Sequence, residues 1–341
     1  MIPVDQRDRI HACFTGALIG DAFGMPVEGM KPKQIALLNG GRGVVGFMDP
    51  SETSREMFGT DHLVSGDTTD DWQLTKAVAR SLIRNHGDVN VADMASEHVR
   101  ALADRNTGWG GTTERAIKDI RDGRRDPVTD LLPEAVPGKG AGNGIMMKVS
   151  PLAVVSALET RNTDSFQKDC ISLGSLTHPG VVPSITAFAV GNMMARAVRR
   201  PFDGASEALG YFNNTLIPRV RHVELNELNA PTEVSDRLKL IESVIHDPVA
   251  LRNIQGYMRF HCMYTLTITM GTFLRHPCDF RKGLIEIVNH GGDADSNASI
   301  LGAMIGANVG LAGIPEEWRT YRPWYSEAVE LADQLIEACT L

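Results

Sequence analysis

Aromatic residues are scarce. Phe, Trp and Tyr together make up 6% of the 341 residues, whereas glycine occurs 33 times. The interior must therefore be filled by Ala, Leu, Ile, Val, Met and Gly rather than by ring stacking. Cysteine is equally uninformative as a staple: five residues, at 13, 170, 262, 278 and 339, are scattered, odd in number and without a C-x-x-C pair. That excludes a cysteine zinc framework and fits free thiols in a reducing cytosol. Positive charge is not in excess either. The formal net charge of −8 argues against broad, sequence-independent nucleic-acid binding, which needs a basic surface, but leaves room for a small anionic ligand at one local site. The opening stretch MIPVDQRDRIHACF carries charge where a signal peptide needs an apolar core, so the expected location is cytoplasmic. Period-2 alternation is almost missing; GVVGFMD at 43–49 offers at most one short strand.

What is present is helical periodicity in a chain whose 43% hydrophobic and 22% charged content is that of a globular protein. The spacing predicts helices over 7–22, 70–85, 91–105, 112–121, 145–158, 164–176, 181–199, 234–246, 261–275, 279–288, 296–312 and 323–338. Thr or Asp start signals stand at TTERAIKDI from 112 and TDSFQKD from 163. Between them, 122–144 (DGRRDPVTDLLPEAVPGKGAGNG) is rich in Pro and Gly and too long for an idle connection. Residues 200–233 read as an irregular, polar, Asn-rich insertion. The uncharged stretch Ser299–Ile314 carries Gly302, Gly306 and Gly310 at the spacing used for close helix contact. At 16 residues, with Asn308 inside, it falls short of the roughly 20 residues that span a bilayer. It reads as a buried helix whose glycines let neighbouring backbones approach, with no membrane association.

Two acidic clusters carry the chemistry. In HGGDADSNASILGAMIGA, Asp293 and Asp295 open that buried helix; an unpaired buried charge is costly, so something must neutralise them. In SGDTTDDWQLTKAVARSLI, Asp67, Asp70 and Asp71 precede an amphipathic helix with Leu74, Val78 and Leu82 on one side. Taken alone, these acids suit the N-terminus of a helix. Asp293, Asp295 and Asn297 match the start of an EF-hand loop, but Ala298 and Met304 replace its required Gly and Glu. If Asp70, Asp71, Asp293 and Asp295 converge, like charges at about 4 Å repel by roughly 4 kcal/mol per pair at an effective dielectric near 20. Two divalent cations remove the problem. Carboxylates joined by the hydroxyls of Thr69 and Ser296 suit Mg²⁺ or Mn²⁺ rather than zinc. Convergence of segments so far apart favours one compact domain over residues 1–341. The run KGAGNG at 139–144 can turn successive N–H groups toward phosphate oxygens, with Lys139 adding a cation, although a plain turn has the same composition.

The segments GALIGDAFGMPVEGM, TDD, GNGIMMKVSPLA, THPG and HGGDADSNASILGAMIGA, in this order over about 16–318, resemble the ADP-ribosylglycohydrolases. The resemblance implies an all-α, compact, orthogonal multi-helix bundle with a dinuclear metal site of two Mg²⁺ or Mn²⁺ ions. By position it implies Thr69, Asp70, Asp71, Asp293, Asp295 and Ser296 as metal ligands, with Glu28, Asp71 and Asp295 in the catalytic group. Glu28 matches a glutamate close to the metals and the reactive water. Lys139, Gly140, Gly142, Asn143 and Gly144 match the loop around the ADP-ribose diphosphate, and His178 a substrate-contacting histidine. The implied reaction is hydrolysis at ribose C1″ of an ADP-ribosylated protein or a small ADP-ribose conjugate, with arginine the expected attachment, by a monomer. The attachment could instead be serine, a nucleic acid base or an acyl group. Two departures bear on specificity: Trp72 stands where the family usually has Thr, as an indole beside the metals that would close the pocket, supply a stacking surface or change which leaving group fits. Lys148 stands where many relatives have Arg, and gives a point charge without a bidentate fork.

Two other readings compete. A non-catalytic ADP-ribose-binding or crystallin-like relative should have lost carboxylates, whereas all four aspartates and Glu28 are present. A two-metal phosphoesterase usually mixes His with Asp, and no His-x-His or Asp-x-His pair stands near either cluster.

Overall fold

The computed structural model describes residues 2–104, 108–129, 141–158, 163–254 and 259–340. Helix accounts for 73% of the described residues, and among them no strand forms. The helices that frame the site are α1 (Val4–Gly24), α2 (Asp70–Arg84), α3 (Val91–Ala103), α4 (Gly111–Arg121), α5 (Ser150–Leu158), α6 (Thr163–Thr177), α7 (Val181–Arg199), α8 (Cys262–Arg275), α9 (Phe280–Val288), α10 (Ala294–Val309) and α11 (Glu327–Thr340).

At the centre α1 and α10 run antiparallel in backbone contact. Ala12, Gly16, Gly20 and Gly24 stand one helical turn apart and face Gly306, Gly302, Ala298 and Ala294 in reverse order. A Cβ on Gly16 would lie 2.1 Å from the Gly302 carbonyl oxygen, and one on Gly20 equally close to that of Ala298. Gly302 and Gly306 thus do what their spacing suggests, while Gly310, at φ 69°, terminates α10 instead. The matching row on α1 was not anticipated. Gly16→Ala should lower stability by about 2 kcal/mol or more in urea or thermal melts. The clash is with main chain, which cannot swing aside, and it outweighs the gain of about 1 kcal/mol in helix propensity. An unchanged midpoint would mean that the helices do not approach this closely.

Around this pair, α7, α8, α9 and α11 pack on one or both helices. Leu74, Val78 and Leu82 of α2 are buried, as the amphipathic pattern requires, and α2 packs between α3 and α11. By length and composition Val4–Val27 and Val181–Arg199 are apolar enough to cross a membrane, but 94% and 83% of their apolar windows are buried inside the protein, so they serve as core helices.

Two expectations are corrected. Residues 43–49 form no strand; Phe47 instead stacks on Tyr321, with centroids 4.2 Å apart. The stretch 200–233 is not irregular: from Ala205 to Glu227 it is continuously helical, with turns of the wider π type at Phe212–Leu216 and Val223–Glu227. Most of its polar residues form the outer face of that helix, while Ala208, Phe212, Leu216, Val220 and Val223 turn inward, and the buried Glu224 accepts from the N–H groups of Val234 and Ser235.

Candidate active site

Helix ends supply the carboxylates. Asp70 and Asp71 occupy the first turn of α2, and Asp293 precedes α10 with Asp295 in its first turn. Glu28 follows α1 by one short turn and is fixed by backbone pairing: Gly29 N–H donates to Gly292 O at 2.7 Å, and Gly292 N–H to Met30 O at 2.9 Å. Gly291 and Gly292 adopt φ of 65° and 76°, and a Cβ at Gly291 would meet Met30 O at 2.3 Å. Glycine is therefore required for this hairpin-like junction, which is what brings Glu28 to Asp293 and Asp295.

Glu28, Asp70, Asp71, Asp293, Asp295 and Ser296 line one cavity of about 340 Å³, with Gly142, Asn143, Gly144 and His178 on another wall. The convergence predicted from the two ends of the chain is thus found. The tightest group of carboxylate oxygens, however, is not the four aspartates but Glu28, Asp293 and Asp295, whose nearest oxygens lie within 4.8 Å of one another. Ser296 Oγ donates to Asp71 Oδ2 at 3.2 Å, linking the two clusters, and Asn143 Nδ2 donates to Asp293 Oδ2 at 2.7 Å. Lys139 and Gly140 lie outside the described residues.

A residue that sequence reasoning missed organises the site from below. Asp21 on α1 is fully buried; its carboxylate accepts from the N–H of Thr69 at 2.9 Å, from that of Trp72 at 2.8 Å and from Thr69 Oγ1 at 2.8 Å. It thereby caps α2 from another helix. This relieves Asp70 and Asp71 of the capping role that their position suggested, and leaves them facing the cavity. Thr69 Oγ1 also stands 3.2 Å from Asp295 Oδ2. The signal was available: a single acid inside the apolar run GALIGDAFG poses the same question as Asp293 and Asp295. Asp67 lies apart, accepting from Val64 N–H at 3.0 Å in its own turn.

The electrostatics are those of an acidic cage short of cations. Burial, followed by the Asp295 charge, raises Asp21 to about 7 and holds Glu28, Asp70, Asp71 and Asp293 well above ordinary carboxyl values. Glu28 Oε2 and Asp71 Oδ1 are buried and accept no hydrogen bond among the described residues, although a buried carboxylate oxygen normally has a partner. Among the described residues lining the cavity there is no Lys or Arg. Orphaned oxygens, crowded acids and an oxygen-only donor set fit hard divalent cations.

Neither departure from the family pattern lines the cavity. Trp72 is fully buried, meets Phe14 edge-on at 6.4 Å and donates its indole N–H to Glu327 Oε1 at 2.5 Å. The expectation that its indole closes the pocket is thereby corrected: consecutive helix positions do not share a face, so when Asp71 turns to the site Trp72 turns to α1 and α11. Lys148 is fully buried behind the glycine loop and is not a lining residue. On the open side, Phe58 and Phe260 place their rings 6.3 Å apart, and Phe260 is 43% exposed.

The family profile described as ADP-ribosylglycohydrolase matches residues 3–341. The chain belongs to the ADP-ribosylglycohydrolase family. It is 26% identical to an ADP-ribosyl-[dinitrogen reductase] glycohydrolase of Rhodospirillum rubrum, over 92% of this chain and 89% of that one. It is 23% identical to an ADP-ribosylarginine hydrolase of Pseudomonas putida (strain GB-1), over 99% and 80% respectively. A solved structure titled "ADP-ribosylglycohydrolase-related protein complex" shares the fold, with a TM-score of 0.68 at 23% identity over 98% of this chain and 99% of that chain. This ADP-ribosylglycohydrolase is accordingly a hydrolase of ADP-ribose conjugates, from a family that is in general metal-dependent.

Proposed function

We propose that the protein is a Mg²⁺- or Mn²⁺-dependent hydrolase that releases ADP-ribose from ADP-ribosylated arginine on proteins, working in the cytoplasm as a monomer of one domain. The observation that carries this reading is the meeting of Glu28, Asp70, Asp71, Asp293 and Asp295 in a single cavity, opposite the loop of Gly142, Asn143 and Gly144. The ADP-ribosylarginine hydrolase among the relatives supports arginine as the attachment.

Thr69, Asp70, Asp71, Asp293, Asp295 and Ser296 would hold two cations, with Glu28 close enough to Asp293 and Asp295 to share one of them. Bound there, the ions would orient ribose hydroxyls and make a water more acidic. The glycine loop and His178 would bind the diphosphate, leaving C1″ over the carboxylates. Cleavage there develops positive charge on the sugar, which the ring of aspartates stabilises. Glu28, through Oε2, accepts the proton of the attacking water and returns it to the nitrogen of the departing guanidine, so that one water is added across the C1″–N bond.

Arginine-, serine- and nucleic-acid-linked ADP-ribose should be tested in parallel with Mg²⁺, Mn²⁺ or EDTA. Free ADP-ribose is expected from the arginine conjugate and only with a cation. Release of AMP or inorganic phosphate would transfer the protein to phosphoester chemistry, and binding without release from any conjugate would make it a reader.

A further inference from the structure

Lys148 is completely buried, yet among the described residues it makes no ion pair with a carboxylate. Its Nζ lies instead 3.2 Å from His98 Nε2 and 3.3 Å from Thr177 Oγ1. His98 Nδ1 is 2.7 Å from the Met94 carbonyl, which can only accept. Nδ1 therefore carries the hydrogen and Nε2 offers a lone pair to the ammonium, the form that Lys148 keeps below about pH 7, to which burial lowers it. The Thr177 oxygen also accepts from Lys148, so its own hydrogen is left to donate. The next polar atom along is His178 Nδ1, 3.0 Å from Thr177 Oγ1. With Nδ1 accepting, a neutral imidazole must carry its hydrogen on Nε2.

That edge of the ring lies against the glycine loop. A Cβ on Gly142 would stand 3.0 Å from Nε2, and one on Gly144 would stand 2.4 Å from Cε1. Only residues without side chains allow the imidazole to lie across this loop and reach the cavity it lines. Burial, followed by the nearby Lys148 charge, lowers His178 to about 3, so the ring stays neutral at physiological pH.

We infer that Lys148, acting through Thr177, is a positioning residue that locks His178 in the Nε2–H form, so that the cavity wall offers a neutral N–H donor to a phosphate oxygen of the ligand. The ligand half of this statement rests on the ADP-ribose reading above; the relay itself does not. Lys148 thus bears on recognition without touching the substrate, through the proton position of a ring two hydrogen bonds away. An acceptor at that edge would repel a phosphate oxygen, whereas a donor pairs with it.

The test is the tautomer of His178 in the full-length, Mg²⁺-loaded protein, read from long-range ¹H–¹⁵N correlations at about pH 6, where histidine forms are well separated. The signal is assigned by comparison with His178→Gln. Wild type should show the Nε2–H form. Thr177→Val and Lys148→Met should move the ring toward Nδ1–H and weaken ADP-ribose binding about tenfold in calorimetry, and Thr177→Ser should restore both. A wild-type ring in the Nδ1–H form, which needs no variant to fold, overturns the relay; so does a folded Thr177→Val protein whose ring stays in the Nε2–H form. If ADP-ribose fails to bind wild type, the ligand reading falls while the spectra still decide the relay.

Discussion

Asp295→Asn should lose at least about 10²- to 10³-fold in release of ADP-ribose, the scale set by removing one preorganised electrostatic group, while the metal-free protein becomes no less stable. Asp295 is the hub of the cage: its charge is the largest cause after burial in raising Asp21, Glu28, Asp70, Asp71 and Asp293. Its Oδ1 accepts from Ser296 N–H at 2.9 Å, a contact that an amide oxygen can keep, and Thr69 Oγ1, whose hydrogen goes to Asp21, stands 3.2 Å from its Oδ2. Neutralising it removes repulsion from five neighbours and one arm of the cation site together. The paired readout, activity lost and melting temperature in EDTA held or raised, separates a functional acid from a structural one. Asp71→Ala should abolish release as well, because it removes both the buried Oδ1, which accepts no hydrogen bond among the described residues, and the Oδ2 that accepts from Ser296 Oγ. Undiminished turnover in either variant would remove the cage from the mechanism.

The second large effect is on stability. A carboxyl whose folded pKa is raised contributes stability that is fully present below its unfolded value and is lost as pH rises through the folded one. For Asp21, ordinarily 3.8 and here about 7, the window runs from about pH 4 to pH 7, and the linkage is on the order of 4 kcal/mol. Glu28, Asp70, Asp71 and Asp293 act in the same direction. Asp93, paired with Arg84, and Asp333, bonded to His11 and Arg7, are lowered instead and lose their contribution only below the ordinary carboxyl range. In EDTA the melting temperature should therefore fall between pH 4 and 8. Mg²⁺ or Mn²⁺ at pH 8 should restore it, by about 2.7 kcal/mol per site at a hundredfold excess over Kd. A flat EDTA profile that does not respond to either ion would show that the acids are not a cation cage.

Most of the helical frame was legible because 3.6-residue periodicity is strong in buried helices: 181–199 is recovered at both ends, and 70–85 ends one residue early at Arg84. The stretch 205–227 was lost because its apolar residues are thinned by Asn and Glu and its π-type turns shift their spacing. In the site, the paired aspartates were visible as charges in front of apolar helices. Asp21 was visible in the same way, as a lone acid inside GALIGDAFG, but its role was not, because most of its partners are main-chain N–H groups of a helix start 48 residues away or more, and backbone donors leave no trace in residue types. The orientation of Trp72 followed from helix geometry alone, and the neighbouring aspartate obscured it.

The row of absent side chains between α1 and α10 also governs what natural variation can reach. Asp21, Glu28, Asp293 and Asp295 are mounted on two main chains pressed together at Gly16, Gly20 and Gly302, so the anchor of the chemistry cannot drift without dismantling the molecule. Phe58 and the exposed Phe260 line the same cavity, on segments outside that seam. New leaving groups can therefore be accommodated by exchanging peripheral residues, while the reacting centre stays where the two chains clasp.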